Sequence, residues 1–194
     1  MVRNSDQEVW YVAYGSNLLT ARMLAYLEGS TEDSLWGKHR GAKDPTFPRD
    51  AQKIEVPYPI RFGGYSQRWK GGVAWCPHKV LSGEEIAPIG RAWRITRGQL
   101  ADIVAQENRK ETKEISIPDN FPKPGEAFKT NDGLIDLLIS LDQIVGVPAV
   151  TLGSSSPPPP GPPSPSYRAV LVAGMSEMGL TSAEIMEYLS VLET

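Results

Sequence analysis

The chain has 194 residues, 40% hydrophobic and 22% charged, with a formal net charge of −3. That composition suits one globular domain with a full-sized core, leaves no basic footprint for nucleic acid, and contains no apolar run long enough to cross a membrane. A single cysteine, Cys76, excludes an internal disulfide framework, and His39 and His78 have no metal-ligand spacing to each other or to it.

With no charged-then-apolar leader pattern at the N-terminus, the default expectation is a cytoplasmic protein without a metal. The first predicted element is a strand through Val9-Trp10-Tyr11-Val12-Ala13, an apolar run that stops abruptly at Gly15-Ser16-Asn17 before a helical pattern begins. A strand that ends in Gly-Ser at a helix start leaves backbone N–H groups unpaired and pointing one way. Gly15 also lets a ligand approach the backbone closely. Such a corner suits an anion, or an oxygen that becomes negative during a reaction. It is equally the geometry of an ordinary strand–turn–helix connection, with Asn17 or Thr20 as the helix N-cap.

Residues 18–28 carry Leu19, Met23, Tyr26 and Leu27 on one helical stripe, ended by Gly29. Residues 30–57 are rich in Pro, Gly, Asp and Lys and read as a long surface loop, with Lys38, His39, Arg40 and Lys43 as a solvated basic cluster. Residues 59–62 and 72–76 predict two strands flanking a Gly-rich, Trp-containing turn, with Cys76 as a small core residue. Residues 89–95 predict another strand. Thr96 and Gln99 then make the spacing of a capping box at a helix start. Residues 109–132, polar and interrupted by Pro118, Pro122 and Pro124, read as a loop insertion. From 154 to 166 nearly every residue is Ser, Pro or Gly, which by composition is a flexible or polyproline-like linker and a candidate ligand for proline-recognising domains. Too little chain follows it for a second domain. The remainder is expected to pack back on the first body as a strand over 167–173 and a helix capped by Thr181 and Glu184, with Ile185, Tyr188, Leu189 and Leu192 inward.

One residue breaks its pattern. In the helix after Thr96, Leu100, Ile103 and Val104 stand at i, i+3 and i+4, and the next position on that stripe, i+7, is Glu107. A carboxylate facing a core costs several kcal/mol unless it is paired or protonated. The spacing alone leaves three readings: a buried ion pair with Arg61, Arg91 or Arg94, a stripe fraying into solvent at the last turn, or a functional acid.

Tyr14-Gly15-Ser16-Asn17-Leu18 after an aromatic-rich strand resembles the signature of the γ-glutamyl cyclotransferase family. Further segments match in order: Ser66-Gln67-Arg68-Trp69-Lys70-Gly71-Gly72-Val73-Ala74, residues 100–107, and Pro163-Ser164-Pro165-Ser166-Tyr167, followed by Gly174-Met175-Ser176-Glu177-Met178-Gly179-Leu180. The resemblance spans most of the chain, with gaps. It implies a single α+β domain over 1–194, a small mixed β-barrel with flanking helices and the site at one end. For residues 133–150 it implies two strands joined near Asp142-Gln143. Leu134, Leu137, Leu138, Leu141 and Val145 also fit a helical stripe, but Val147-Pro148-Ala149-Val150 is too short to stand alone, and the strands are taken here.

The resemblance also implies the chemistry. In this family the α-amine of a γ-glutamyl amide attacks its own γ-carbonyl, releasing 5-oxoproline and a free amine, so no Ser, Cys or metal nucleophile and no cofactor is needed. Positioning supplies much of the rate of an intramolecular reaction. One carboxyl group can take a proton from the attacking amine and give one to the leaving amine, and apolar surroundings would raise its pKa toward neutrality. Gln106-Glu107 matches the position of the family's catalytic glutamate. The backbone of Tyr14, Gly15 and Ser16 then supplies oxyanion donors. Tyr11, Val12, Ala13, Tyr14, Gly15, Ser16 and Tyr167 are the expected substrate-binding residues. Tyr11 and Tyr14 are candidates to line the pocket or fill the barrel, though a regular strand would point them to opposite faces. Trp69-Lys70-Gly71-Gly72 is expected to be structural.

Two departures fall on the amine side. The family's glycine after Glu107 is Asn108 here, and Ile135 stands where a tyrosine is expected. The expected partner is a small γ-glutamyl compound, with no nucleic acid or membrane, and the oligomeric state is open. A tailoring enzyme acting on a γ-glutamylated or glutathione-derived intermediate is an enzymatic alternative, favoured by the insertion. A non-catalytic γ-glutamyl-binding module is the other, and it would have no need of Glu107.

Overall fold

A computed structural model describes residues 4–79, 81 and 87–192. Its centre is β1 (Glu8–Ala13), a run of β-branched and aromatic side chains buried on both faces. Antiparallel β5 (Ile89–Thr96) flanks it on one side and parallel β8 (Val147–Gly153) on the other. The full sheet runs β2-β5-β1-β8-β7-β6, with β2 (Asp50–Glu55), β6 (Ala127–Lys129) and β7 (Leu137–Ile144). β3 (Arg61–Ser66) and β4 (Gly71–Trp75) form a separate hairpin. The architecture is α+β, as expected. The strands form an open six-stranded sheet and a hairpin, with no closed barrel among the described residues.

Alternation along β1 divides the core. Val9, Tyr11 and Ala13 join Met23, Tyr26, Leu100, Ile103 and Val104 under α1 (Thr20–Glu28) and α2 (Arg97–Glu107). Trp10 and Val12 join Ile60, Cys76 and Ile139 on the other face. A third cluster gathers the hairpin with α3 (Pro165–Glu177) and α4 (Ser182–Leu192). The box at Thr96 and Gln99 forms as expected, Gln99 N–H donating to Thr96 Oγ1 at 3.1 Å and Thr96 N–H to Gln99 Oε1 at 2.9 Å.

Several expectations are corrected. The loop over 30–57 contains β2, an exposed edge strand with only Ala51 and Ile54 turned inward, so its alternation is faint. Within 109–132, β6 adds to the sheet edge, and Ile115, Ile117 and Phe121 pack on the core. Residues 137–153 are two strands as taken, but they turn at Val145-Gly146, both in the left-handed region, three residues beyond the expected joint. The strand expected over 167–173 is helix α3. Ser164 caps it, accepting from Tyr167 N–H at 3.2 Å, and Pro165 occupies the first turn, where no donor is needed. Tyr167, Val170, Leu171, Gly174 and Met175 form its buried stripe.

The proline-rich segment is a strap laid across the β3–β4 hairpin. Gly64 N–H donates to Pro159 O at 2.9 Å, Gly72 N–H to Pro162 O at 2.8 Å, and Gly161 N–H to Phe62 O at 3.2 Å. The hairpin glycines exist for this contact. A Cβ on Gly63 would lie 2.8 Å from Pro159 O, one on Gly71 2.7 Å from Ser164 N, and one on Gly72 would run into the Gly161 carbonyl.

Candidate active site

Where β1 stops, Gly15 and a 3-10 turn over Ser16–Leu18 redirect the chain before α1. Neither candidate cap is used as such. Leu19 is the N-cap without a side-chain bond, and Thr20 is capped from α3, its N–H and hydroxyl both donating to Glu177 Oε2 at 2.9 and 2.5 Å. Asn17 is thereby free to face a cleft of about 930 Å³, which contains the corner Tyr14-Gly15-Ser16 and Glu107.

Tyr167 closes the corner. Its hydroxyl accepts from Ala74 N–H at 3.1 Å, and the Ser16 amide is directed at it too. A Cβ on Gly15 would stand 2.8 Å from that oxygen, so only glycine admits the tyrosine. Phe62 and Trp69 hold the ring edge-on at 6.3 and 5.3 Å. Burial pushes the phenol up to about 12, so it stays protonated.

Glu107, the last residue of α2, turns its carboxyl into this cleft. Asn17 Nδ2 donates to Oε1 at 3.4 Å, and the Tyr26 hydroxyl bonds the same carboxylate. Burial raises the Glu107 pKa, opposed by Tyr26, the Arg22 and Arg68 guanidinia and Asn17. The ion pairs open on spacing do not form with two of their candidates: Arg91 pairs with Glu177 at 2.7 Å, and Arg94 with Glu8. The third, Arg61, lies outside the cleft.

Of the residues expected to bind substrate, the cleft brings together Tyr11, Tyr14, Gly15, Ser16 and Tyr167. Val12 and Ala13 point into the two core clusters instead. Tyr11 and Tyr14 share the cleft because β1 ends at Ala13, which releases Tyr14 from strand alternation. Tyr14 is fixed by donating to Leu152 O at 2.8 Å.

Sequence reasoning missed a basic wall. Arg22 is 1% exposed; its Nη2 donates to Tyr26 Oη at 3.3 Å, and its Nη1 lies 3.0 Å from His39 Nε2. Arg68 Nη1 approaches the same His39 nitrogen at 2.7 Å. An imidazole nitrogen that takes two guanidinium donors is a bare lone pair, so His39 is neutral; burial, then Arg22 and Arg68, depress its pKa to about 4. His39, read from sequence as solvated, turns inward and packs on the Tyr26 ring at 4.4 Å, whereas Arg40 stays exposed, as read, and pairs with Asp102 and Glu111, each at 3.5 Å. The available signal was Arg22 itself, a charge on the stripe of Leu19 and Tyr26, the same kind of break that marked Glu107. Asn108 ties α2 to the following loop, Nδ2 donating to Ile135 O at 2.8 Å and Oδ1 accepting from Ile135 N–H at 3.0 Å. That seats Ile135 on the cleft wall.

Among the described residues no group of three or more His, Cys, Asp or Glu side chains converges as a metal site, and no helix is long and apolar enough to cross a membrane. No family model matches the chain. A solved structure titled γ-glutamyl cyclotransferase is similar at 18% identity and a TM-score of 0.58, covering 95% of this chain and 88% of that one. A crystal structure of an uncharacterized Homo sapiens protein gives 18% identity and 0.56 over the same shares. These likenesses establish the γ-glutamyl cyclotransferase-like fold. In sequence, the chain is 33% identical over 104 residues to a protein named histone deacetylase 5 from Arabidopsis thaliana, a match that covers 52% of this chain and 15% of that protein.

Proposed function

We propose that this protein is a γ-glutamyl cyclotransferase, which converts a small γ-glutamyl amide into 5-oxoproline and a free amine. One observation carries the reading: a half-buried carboxyl, Glu107, shares a cleft with the Gly15-Ser16 corner and is reached from that corner by Asn17. With a raised pKa the carboxyl is suited to accept the proton of the attacking α-amine and pass one to the departing nitrogen. Asn17 and Tyr26 orient it between them. Tyr14–Ser16 backbone amides are the donors for the tetrahedral oxygen, and Tyr167 holds the corner shut against the hairpin. The substrate carries its own nucleophile, so ring closure needs no residue covalently bound to it. A cytoplasmic location, with a small-molecule partner, belongs to the same reading.

The test is direct. Incubation with γ-glutamyl compounds should release 5-oxoproline, read by mass spectrometry. E107Q keeps the shape but cannot carry the proton, and should lower the rate about 10²- to 10⁴-fold while substrate binding survives. Release of 5-oxoproline by E107Q at the wild-type rate would remove the mechanism. Tight binding with no product from the unaltered protein would leave a binding module.

A further inference from the structure

The proline-rich strap alternates with a period that the hairpin beneath it explains only in part. Pro158, Gly161 and Ser164 are half-buried, while Pro159, Pro162 and Pro165 are exposed, as are Pro157 and Pro160 of the remaining row. A repeat of three is that of a polyproline II helix, which has three residues per turn. Contacts fix the inward row. A Cβ on Gly64 would lie 3.1 Å from the Pro158 ring, one on Gly71 would lie 2.7 Å from Ser164 N, and one on Gly161 would lie 3.1 Å from Gly64 O. Gly161 therefore interrupts the prolines in the one row that meets the hairpin.

Anchoring asks little of the outward residues. Pro159 and Pro162 contribute only their carbonyls, which accept from Gly64 and Gly72 N–H at 2.9 and 2.8 Å, and every residue type carries a carbonyl. What the strap turns to solvent is Pro159-Pro160, then Pro162 with the half-buried Pro163. These are two dipeptides three residues apart, about 9 Å along a polyproline II axis. Such a ridge is what a pair of aromatic-lined slots reads. Backbone hydrogen bonds to Phe62, Gly64 and Gly72 hold its shape in advance, which lowers the ordering cost of binding.

We propose that the outward face of the strap is a docking site for a protein domain with an aromatic-lined polyproline groove and an acidic rim. Charge supplies the second requirement. An apolar groove of about 240 Å³, formed by Phe62, Trp75, Pro157, Pro158 and Pro160, runs beside the ridge with the exposed Arg61 at it, and no carboxylate lines it among the described residues. At the other end Lys70 is exposed beside Gly71, the glycine on which Ser164 rests. The ridge is thus flanked by a cation at each end. The proposal concerns binding alone and stands apart from the cyclotransferase reading.

The probes are purified polyproline-binding domains of the SH3 and WW classes, titrated against the full chain and against a free peptide of residues 154–166. Domains with acidic rims should bind the full chain, more tightly than the peptide, and the affinity should fall as salt rises. P159A/P162A keeps both anchoring carbonyls but removes two exposed rings, and should weaken binding about tenfold, with thermal melting measured alongside. P160A, whose carbonyl is not one of those two anchors, should weaken it as well if the double variant folds poorly. Failure of every domain to bind the full chain would overturn the proposal. So would a peptide that binds as tightly as the full chain or more so, because anchoring would then hide the ridge rather than present it. Full affinity in both variants would also overturn it, since the contact would lie elsewhere.

Discussion

At the scale of single residues, the site is organised by contacts that leave no room for substitution. Gly15 lies under the Tyr167 hydroxyl, so G15A must push the tyrosine away. Overpacking of this kind typically costs about 1–3 kcal/mol, and a thermal melt should show it. Y167F removes the acceptor of the Ala74 amide and leaves a donor unpaired, at about 1–3 kcal/mol. Because the two changes meet at one oxygen, the double variant G15A/Y167F should be less unstable than the sum of the singles; strict additivity would show that they do not touch. Glu107 was legible in sequence because a charge interrupted an apolar stripe. Arg22 interrupted one equally and was passed over, since Arg on an amphipathic helix usually snorkels to solvent. His39 carried no local signal, because its burial depends on Arg68, 29 positions away.

At the scale of elements, the capping box of α2 and the box of α4, where Glu184 N–H donates to Thr181 Oγ1 at 3.3 Å, were readable because caps are local chemistry. Helix α3 was misread although Ser164 and Pro165 spell a helix start; the β-branched run after Tyr167 looked like a strand, and tertiary packing of its stripe decided otherwise. S164A should lower stability by about 1 kcal/mol, measured by denaturant unfolding. The strap was misread for a different reason. Composition reports that prolines cannot donate, but not that their carbonyls have acceptor work. Here they accept from Gly64 and Gly72 of a hairpin whose glycines admit the approach. G72A should therefore destabilise the fold by 1 kcal/mol or more, while a proline-to-alanine change at the exposed Pro157 should not.

At the scale of the whole molecule, the sheet order was not legible, because strand neighbours are set by long-range pairing and not by local pattern. Charge linkage, too, appears only here. His39 has a folded pKa of about 4 against an ordinary 6.5, so the unfolded chain binds the extra proton between those values. Stability from this group is complete above about pH 6.5 and is lost as pH falls toward 4. Glu177, held below its ordinary value by Thr20 and Arg91, adds a loss in the same direction at lower pH. Melting temperature should fall on acidification through that window, and H39Q, which keeps an acceptor without a titrating ring, should flatten its upper part. An unchanged profile in H39Q would place the acid sensitivity elsewhere.

The tyrosine that seals the corner belongs to α3, downstream of every strand in the sheet. A ribosome that has delivered all eight described strands has still not delivered a sealed corner. Completion of the corner is therefore a late event in synthesis, withheld until the strap has crossed the hairpin and α3 has docked, and a product terminated before α3 would carry the cleft without its seal.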